Sequence, residues 1–334
     1  MTGPARTLAI SMGEPAGIGP DLILQLYADR QAHGLPVFAV YGHGAFLTQR
    51  AERLGLSVAI EPCTIGQAAD VFATALPVIE IAGEVRDTPG EPDPNGAPVV
   101  VSAIAQAVAD VQVGHARGLV TAPIHKASLY GVGFEYPGHT EFLAALCADD
   151  AGVAPLPVMM LAHENLRTVP LTIHIPLAEV AQTITTQLIQ DTIRIVARDL
   201  ETRFAISAPR IAVAGLNPHA GEDGMIGTEE VEIIVPALAG LRTEGIDVFG
   251  PLSADTLFYP PHWREYDCVV AMYHDQALVP IKTIAFDAGV NVTLGLPIVR
   301  TSPDHGTAFS LAGSGKASHT SMLAAIRMAD AMSA

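Results

Sequence analysis

Ala271–Phe309 reads AMYHDQALVPIKTIAFDAGVNVTLGLPIVRTSPDHGTAF and sets His274, Asp275, Lys282, Asn291, Arg300, Asp304 and His305 between short apolar runs. Apolar runs of strand length position a backbone, and isolated polar groups at their ends are how α/β enzymes present chemistry where strands turn into loops. The stretch therefore points to an α/β fold and to the place where its chemistry should be sought.

The rest of the chain continues the pattern. Thr7–Ser11, Pro36–Tyr41, Leu76–Ile81, Gly118–Thr121, Val158–Leu161, Thr168–Ile173, Arg210–Ala214 and Asp267–Met272 are rich in Val, Ile and Leu and read as strands. Pro20–Ala28, Ala45–Leu54, Val99–Val113, Thr140–Ala148, Leu177–Arg203, Thr228–Arg242 and Ser318–Met332 carry helical periodicity between them. Such alternation predicts a mostly parallel sheet flanked by helices. Gly90–Pro98, GEPDPNGAP, reads as a surface loop by composition.

A chain of 334 residues exceeds the usual size of one hydrophobic core, so two domains or one large α/β domain are expected. With 49% hydrophobic and 16% charged residues, disorder is disfavoured. The net charge of -17 and the absence of a basic cluster argue against nucleic acid. No apolar run approaches the roughly 18 residues that span a bilayer, which argues against a membrane protein. The amino-terminal MTGPARTLAISMG enters a strand-like run without the apolar core of a secretory signal. Cys63, Cys147 and Cys268 are odd in number and lack CxxC spacing, so buried thiols in a reducing cytoplasm are expected.

Four constellations carry chemistry. GEPAGIGP, Gly13–Pro20, follows the first strand, but its spacing is not G-x-G-x-x-G; it is either a tight turn or a close backbone approach to an anion at a helix start. His174 in PLTIHIPL, His219 in AGLNPHAGEDG and His274 in VVAMYHDQ each follow an apolar strand. Three imidazoles with an open position suit a catalytic zinc, or cobalt or nickel, though their spacings equally allow three satisfied loop histidines. His139 and Thr140 in PGHTEFLAAL stand at a helix start, where Thr140 could be an N-cap or a phosphate contact, with Thr121, His125 and Lys126 of TAPIHKAS nearby. Asp304–Ser318, DHGTAFSLAGSGKAS, is either a flexible connector or a loop embracing an adenosine. The chain has only three lysines, Lys126, Lys282 and Lys316, all in such segments, which suits ammonium groups kept for an anionic ligand if it is not chance.

GEPAGIGPD, TAPIHK, GHTEF, LNPHAGEDGMIGTEE, GPLSADTLF, MYHDQALVPIK, VNVTLGLP and RTSPDHGTA, in this order from Ile10 to the final helix, resemble the 4-hydroxythreonine-4-phosphate dehydrogenase family of vitamin B6 biosynthesis. DHGTAFSLAGSGKA also resembles the adenosine-binding loop of isopropylmalate dehydrogenases. The resemblance implies a two-domain α/β fold like that of isocitrate and isopropylmalate dehydrogenases, without a Rossmann motif. It implies a cofactor domain of residues 1–130 plus 255–334 and a central domain, 131–254, with metal ligands and dimer contacts. It further implies a homodimer with the active site in the interdomain cleft and shared across the subunit interface. Matched motif by motif, His174, His219 and His274 fall on divalent metal ligands, with zinc foremost and magnesium or cobalt as alternatives. His139, Thr140, Lys282, Asn291 and Arg300 fall on substrate-binding positions, Asp304, His305, Gly306 and Thr307 on the NAD or NADP site, and Lys282 and Asp255 on catalytic positions.

The implied substrate is a small phosphorylated hydroxy-amino acid, oxidised at C3 by hydride transfer to a nicotinamide and then decarboxylated. Asp255, Asp275 or a lysine could serve as the general base. Related enzymes act on threonate or erythronate 4-phosphates or on dihydrodiols of aromatic acids. A zinc hydrolase and a non-catalytic binding protein are readings from other classes.

Overall fold

The computed structural model describes residues 7–164 and 166–334; the amino-terminal hexapeptide of the leader reading lies outside them. Twelve strands follow in chain order: β1 (Leu8–Ser11), β2 (Phe38–Gly42), β3 (Ile60–Pro62), β4 (Leu76–Glu80), β5 (Leu119–Thr121), β6 (Val158–His163), β7 (Leu166–Thr172), β8 (Ile211–Ala214), β9 (Val248–Leu252), β10 (Cys268–Tyr273), β11 (Val290–Leu294) and β12 (Arg300–Pro303). They belong to two compact units. Unit 1 takes the chain up to Pro157 and again from Leu296, and unit 2 is Val158–Gly295.

These limits differ from 1–130 plus 255–334 and 131–254, and packing explains the difference. The helix His139–Leu146 packs on the helix Ala97–Gln112 of unit 1, and Gln112 donates to the Leu146 carbonyl at 3.3 Å. At the other boundary, β10 lies between β7 and β8, which holds the following helix, His274–Ala285, in unit 2.

Unit 1 is wholly parallel, in the order β3–β4–β2–β1–β5–β12. Every residue of β1 and β2 is buried, as the continuous apolar runs of a strand covered on both faces require. The chain leaves β1 toward β2 on one side and later fills β5 and β12 on the other. The carboxyl ends of β1 and β5 therefore flank a switch point, the crevice where open α/β sheets bind ligands. In unit 2 the order is β11–β6–β7–β10–β8–β9; β6 runs antiparallel to β7 and β11, and the remaining pairs are parallel. Leu161, Leu166, Val269, Ala271, Leu278 and Ile281 form the core there, each large side chain contributing about 1.5–3 kcal/mol on burial.

Two expected helices are broken. Leu177–Arg203 divides into Leu177–Thr183 and Thr186–Arg203, because Ile184 is extended and Thr185 accepts from the Leu188 amide as an N-cap. Thr228–Arg242 opens with a π-turn at Glu230–Ile234 before Val235–Thr243, where Pro236 cannot supply an amide to the regular ladder. The supposed loop Gly90–Pro98 already contains the start of the helix Ala97–Gln112, with proline in the first turn. No helix among the described residues is long and apolar enough to cross a membrane, and all three cysteines are free.

Beneath the Gly13–Pro20 loop lies the fully buried Arg50. Its guanidinium donates to Asp21 at 2.5 Å, to Asp87 at 2.6 Å, and to the carbonyls of Pro15 at 2.6 Å and Gly17 at 3.2 Å. Burial pushes the Asp21 carboxyl up, against the pull of Arg50. Arg50→Met is expected to destabilise the fold by about 3 kcal/mol, read as a lowered urea midpoint. That is the low end for unpairing a buried charge, because Asp87 keeps Arg53 and Asp21 keeps the Gly313 amide.

Candidate active site

In unit 1 the chemistry gathers at the carboxyl ends of three adjacent parallel strands, β1, β5 and β12. The loop after β1 turns at Gly13, whose φ of +74° places a hypothetical Cβ 2.6 Å from the Pro123 carbonyl, so only glycine fits. At Gly17 an added Cβ would meet the Thr307 carbonyl at 3.0 Å, and the Ile18 amide donates to that same carbonyl at 3.0 Å. The GEPAGIGP loop is thus packed against Asp304–Thr307. The Asp304 amide donates to Ser321 Oγ at 3.0 Å, and the Gly313 amide donates to the Asp21 carboxylate at 2.7 Å. The segment from Asp304 to Ser318 is anchored at several points, unlike a flexible connector. His305 Nδ1 lies 3.0 Å from the Gly306 carbonyl, and its Nε2 is shut from solvent without a partner.

The helix His139–Leu146 starts at an extended Gly138 that no side chain caps. Gly138 is therefore the N-cap residue, and Thr140 lies inside the first turn. The open amides of that turn favour an anion. Arg300, the first residue of β12, is buried and donates to Thr121 Oγ1 through Nε at 3.1 Å and Nη2 at 2.6 Å; burial pushes its pKa down to about 10. His139 Nε2 is buried without a hydrogen-bond partner. Burial, followed by the Arg300 and Lys126 cations, holds the His139 pKa well below the usual histidine range. Unit 1 thus brings His139, Lys126 and Arg300 together as a neutral imidazole beside two cations.

A pH dependence follows for His139. It stays neutral in the folded protein but protonates near its ordinary value of about 6.5 once unfolded, so below that pH the unfolded chain binds more protons. The contribution to stability is present above about pH 6.5 and is lost as pH falls, with a slope of up to about 1.4 kcal/mol per pH unit. Urea midpoints measured across this range should show the loss, and His139→Gln should flatten it.

In unit 2, His174, His219 and His274 follow β7, β8 and β10, and these three strands are neighbours, with β10 in the middle. The rings of His174 and His274 lie 5.8 Å apart, and both residues line a cavity of about 280 Å³ with Thr172, Ile175, Tyr273 and Asp275. His274 Nδ1 is 2.7 Å from Asp275 Oδ1, which fixes the ring and turns Nε2 to any ligand. His219 sits in a run from His219 to Asp223 with φ between 41° and 81°. Left-handed conformations cost roughly 1–2 kcal/mol for each residue with a side chain. The run is held from below by the buried Glu230, which accepts from the Asn217 amide at 2.7 Å and from its Nδ2 at 2.9 Å.

Asp255 lies in Ala254–Leu257, packed against the His219 loop. The hydrogen bond from Ser253, aided by His219, holds its carboxyl below the usual range. Lys282 is in the helix that His274 opens, two turns further on, and Asn291 is on β11 with its Oδ1 buried and unpartnered. The three metal-candidate histidines do not bring their nitrogens within 4.8 Å of one another among the described residues of one chain.

Glu14 escaped the sequence reading. It is buried in the first loop, accepts from the Ala16 amide at 3.2 Å, and has its pKa raised chiefly by burial. An acid set between Gly13 and Pro15 directly after a buried strand was the available signal.

Comparison with known proteins adds to this geometry. Residues 35–329 match the family described as pyridoxal phosphate biosynthetic protein PdxA. A 4-hydroxythreonine-4-phosphate dehydrogenase of Bradyrhizobium diazoefficiens is 51% identical over 338 residues, which cover 99% of this chain and 98% of that protein. The crystal structure of the enzyme of that name from Klebsiella pneumoniae matches with a TM-score of 0.86 at 37% identity, over 98% of this chain and 100% of its own. A terephthalate 1,2-cis-dihydrodiol dehydrogenase from Burkholderia xenovorans matches with a TM-score of 0.66 at 25% identity, over 98% of each chain.

Proposed function

Because the chain belongs to the PdxA family of pyridoxal phosphate biosynthetic proteins, we propose that it is a divalent-metal- and NAD(P)-dependent dehydrogenase. Its substrate is 4-phosphohydroxy-L-threonine, oxidised at C3; the β-keto acid product loses CO2 to give 3-amino-2-oxopropyl phosphate. The observation that carries the reading is the placement of three imidazoles at the ends of three adjacent parallel strands, with Asp275 orienting one of them.

The residues fit a metal. Neutral imidazoles suit zinc or cobalt, with magnesium an alternative only through the motif resemblance, and the Asp275–His274 pair is the carboxylate–histidine arrangement that supports a ligand nitrogen. A divalent cation held by His174, His219 and His274 would supply Lewis acidity at the C3 hydroxyl and an electron sink for decarboxylation. We assign the complete site to a homodimer, the assembly that the motif resemblance implies. Exposed Leu177, Met225, Val231, Val279, Ile284 and Phe286 on unit 2 supply apolar surface for such a contact.

The remaining groups divide the work. Arg300, Lys126 and neutral His139, beside the open amides around Thr140, bind the phosphate. Lys282 and Asn291 orient the amino acid end, Asn291 through its unpartnered Oδ1. Asp304, His305, Gly306 and Thr307, backed by the first loop, would hold NAD or NADP, whose nicotinamide would supply the hydride acceptor for C3. Asp275 is committed to His274, so the hydroxyl proton passes to Asp255 or Lys282; Asp255 is the ionised carboxylate of the two.

Incubation with 4-phosphohydroxy-L-threonine, NAD and zinc should yield NADH and CO2 in equal amounts. Hydrolysis of an ester or amide without NADH would overturn the reading. The similarity to a dihydrodiol dehydrogenase makes aromatic dihydrodiols, with threonate and erythronate 4-phosphates, the comparison substrates; kcat/KM should be highest for the amino acid phosphate.

A further inference from the structure

We propose that Asp29, His33 and His319 of unit 1 form a second divalent transition-metal site, apart from the three histidines of unit 2. Each offers one ligand atom, and these atoms all lie within 4.8 Å of one another. Among the described residues this is the sole group of three His, Cys, Asp or Glu side chains that meets that distance. The two imidazole rings pack edge to face with centroids 5.3 Å apart. His319 Nδ1 is shut from solvent and has no hydrogen-bond partner, an orphaned nitrogen that a cation would satisfy.

Local structure explains the convergence. Asp29 closes the helix Gly19–Ala28, and His33 follows one turn later, its amide donating to the Asp29 carbonyl at 3.1 Å. His319 stands at the start of Thr320–Met332 without using its side chain as a cap. Arg327 is engaged by the His33 carbonyl at 2.9 Å. Nitrogen and oxygen ligands at about 2.0–2.1 Å from zinc stand roughly 3.3 Å apart in a tetrahedral set. Small rotations of the exposed Asp29 and the half-buried histidines would close the remaining gap. Two imidazoles and one carboxylate suit zinc, cobalt or iron(II) and leave coordination positions for water or an outside ligand.

The test uses zinc ion as the probe on the full chain, by equilibrium dialysis followed by metal analysis. Wild type should retain one more zinc equivalent per chain than His33→Ala or Asp29→Asn, while both variants keep the wild-type circular dichroism and NADH formation. The comparison is a difference between variants, so it holds whatever the unit 2 histidines bind. Equal zinc content in wild type and both variants would overturn the proposal. Should His33→Ala fail to fold, the exposed Asp29→Asn decides the outcome.

Discussion

Replacing His219 by alanine is expected to lower kcat/KM by about a thousandfold or more while the protein stays folded. Lewis-acid stabilisation is worth several kcal/mol, and each 1.36 kcal/mol is a factor of ten in rate. The fold should survive because the loop owes its shape to other groups. Glu230 accepts from the Asn217 backbone and side chain, and the Gln276 side chain donates to the Gly215 carbonyl at 2.8 Å while accepting from the Met272 amide at 2.7 Å. His219 has φ of 54°, a conformation that asparagine tolerates better than alanine. His219→Asn is therefore the control: it should match wild type in thermal stability and still lose the activity. Steady-state kinetics beside a melting curve separates the two effects. Retained kcat/KM in a folded variant would remove His219 from the site.

Arg300→Met is expected to lower kcat/KM by about a hundredfold to a thousandfold, chiefly through KM, since hydrogen bonds to charged groups contribute about 1.5–3 kcal/mol each. Thr121 already fixes the guanidinium through Nε and Nη2. With its pKa pushed down to about 10, Arg300 still carries its charge at neutral pH, so on the proposed assignment it would meet the phosphate as a preoriented cation. Arg300→Lys should not rescue, because an ammonium cannot reproduce the planar fork. Kinetics with the phosphorylated substrate and with its unphosphorylated counterpart checks the assignment: the loss should be confined to the phosphorylated one. An equal loss on both would place Arg300 outside phosphate binding.

The two predictions use parts of the molecule that were unequally visible in the amino-acid sequence. The apolar runs before His174, His219 and His274 announce strands, so their position at strand ends could be read directly. What brings them close is the order β7–β10–β8, and this depends on which strands pair across long intervals, a property of tertiary packing. Strands β3, β9, β11 and β12 were not among the eight read from the sequence: each lies at an end of its unit's order, and β3, β9 and β12 contain proline, which an end strand tolerates. The left-handed run at His219 was also invisible: Ala220 and Glu222 have no preference for it, and only the packing on Glu230 holds it. In unit 1, the motif around His139 was legible as a helix start, whereas its depressed pKa comes first from burial and then from the Arg300 and Lys126 cations, and neither that burial nor the approach of Arg300, distant in sequence, is written in the motif. The domain limits shifted for a similar reason. Residues 131–157 and 255–295 carry no compositional break; which unit they join is decided by the faces on which they pack.

On the proposed function, three strand-end histidines serve a metal-dependent dehydrogenation. Its most direct test is NADH formation from 4-phosphohydroxy-L-threonine and NAD by enzyme stripped of metal with a chelator, before and after zinc is restored. NADH formation should be lost on stripping, return with zinc in the wild type, and fail to return in His219→Asn. Undiminished NADH formation by the stripped enzyme would contradict it.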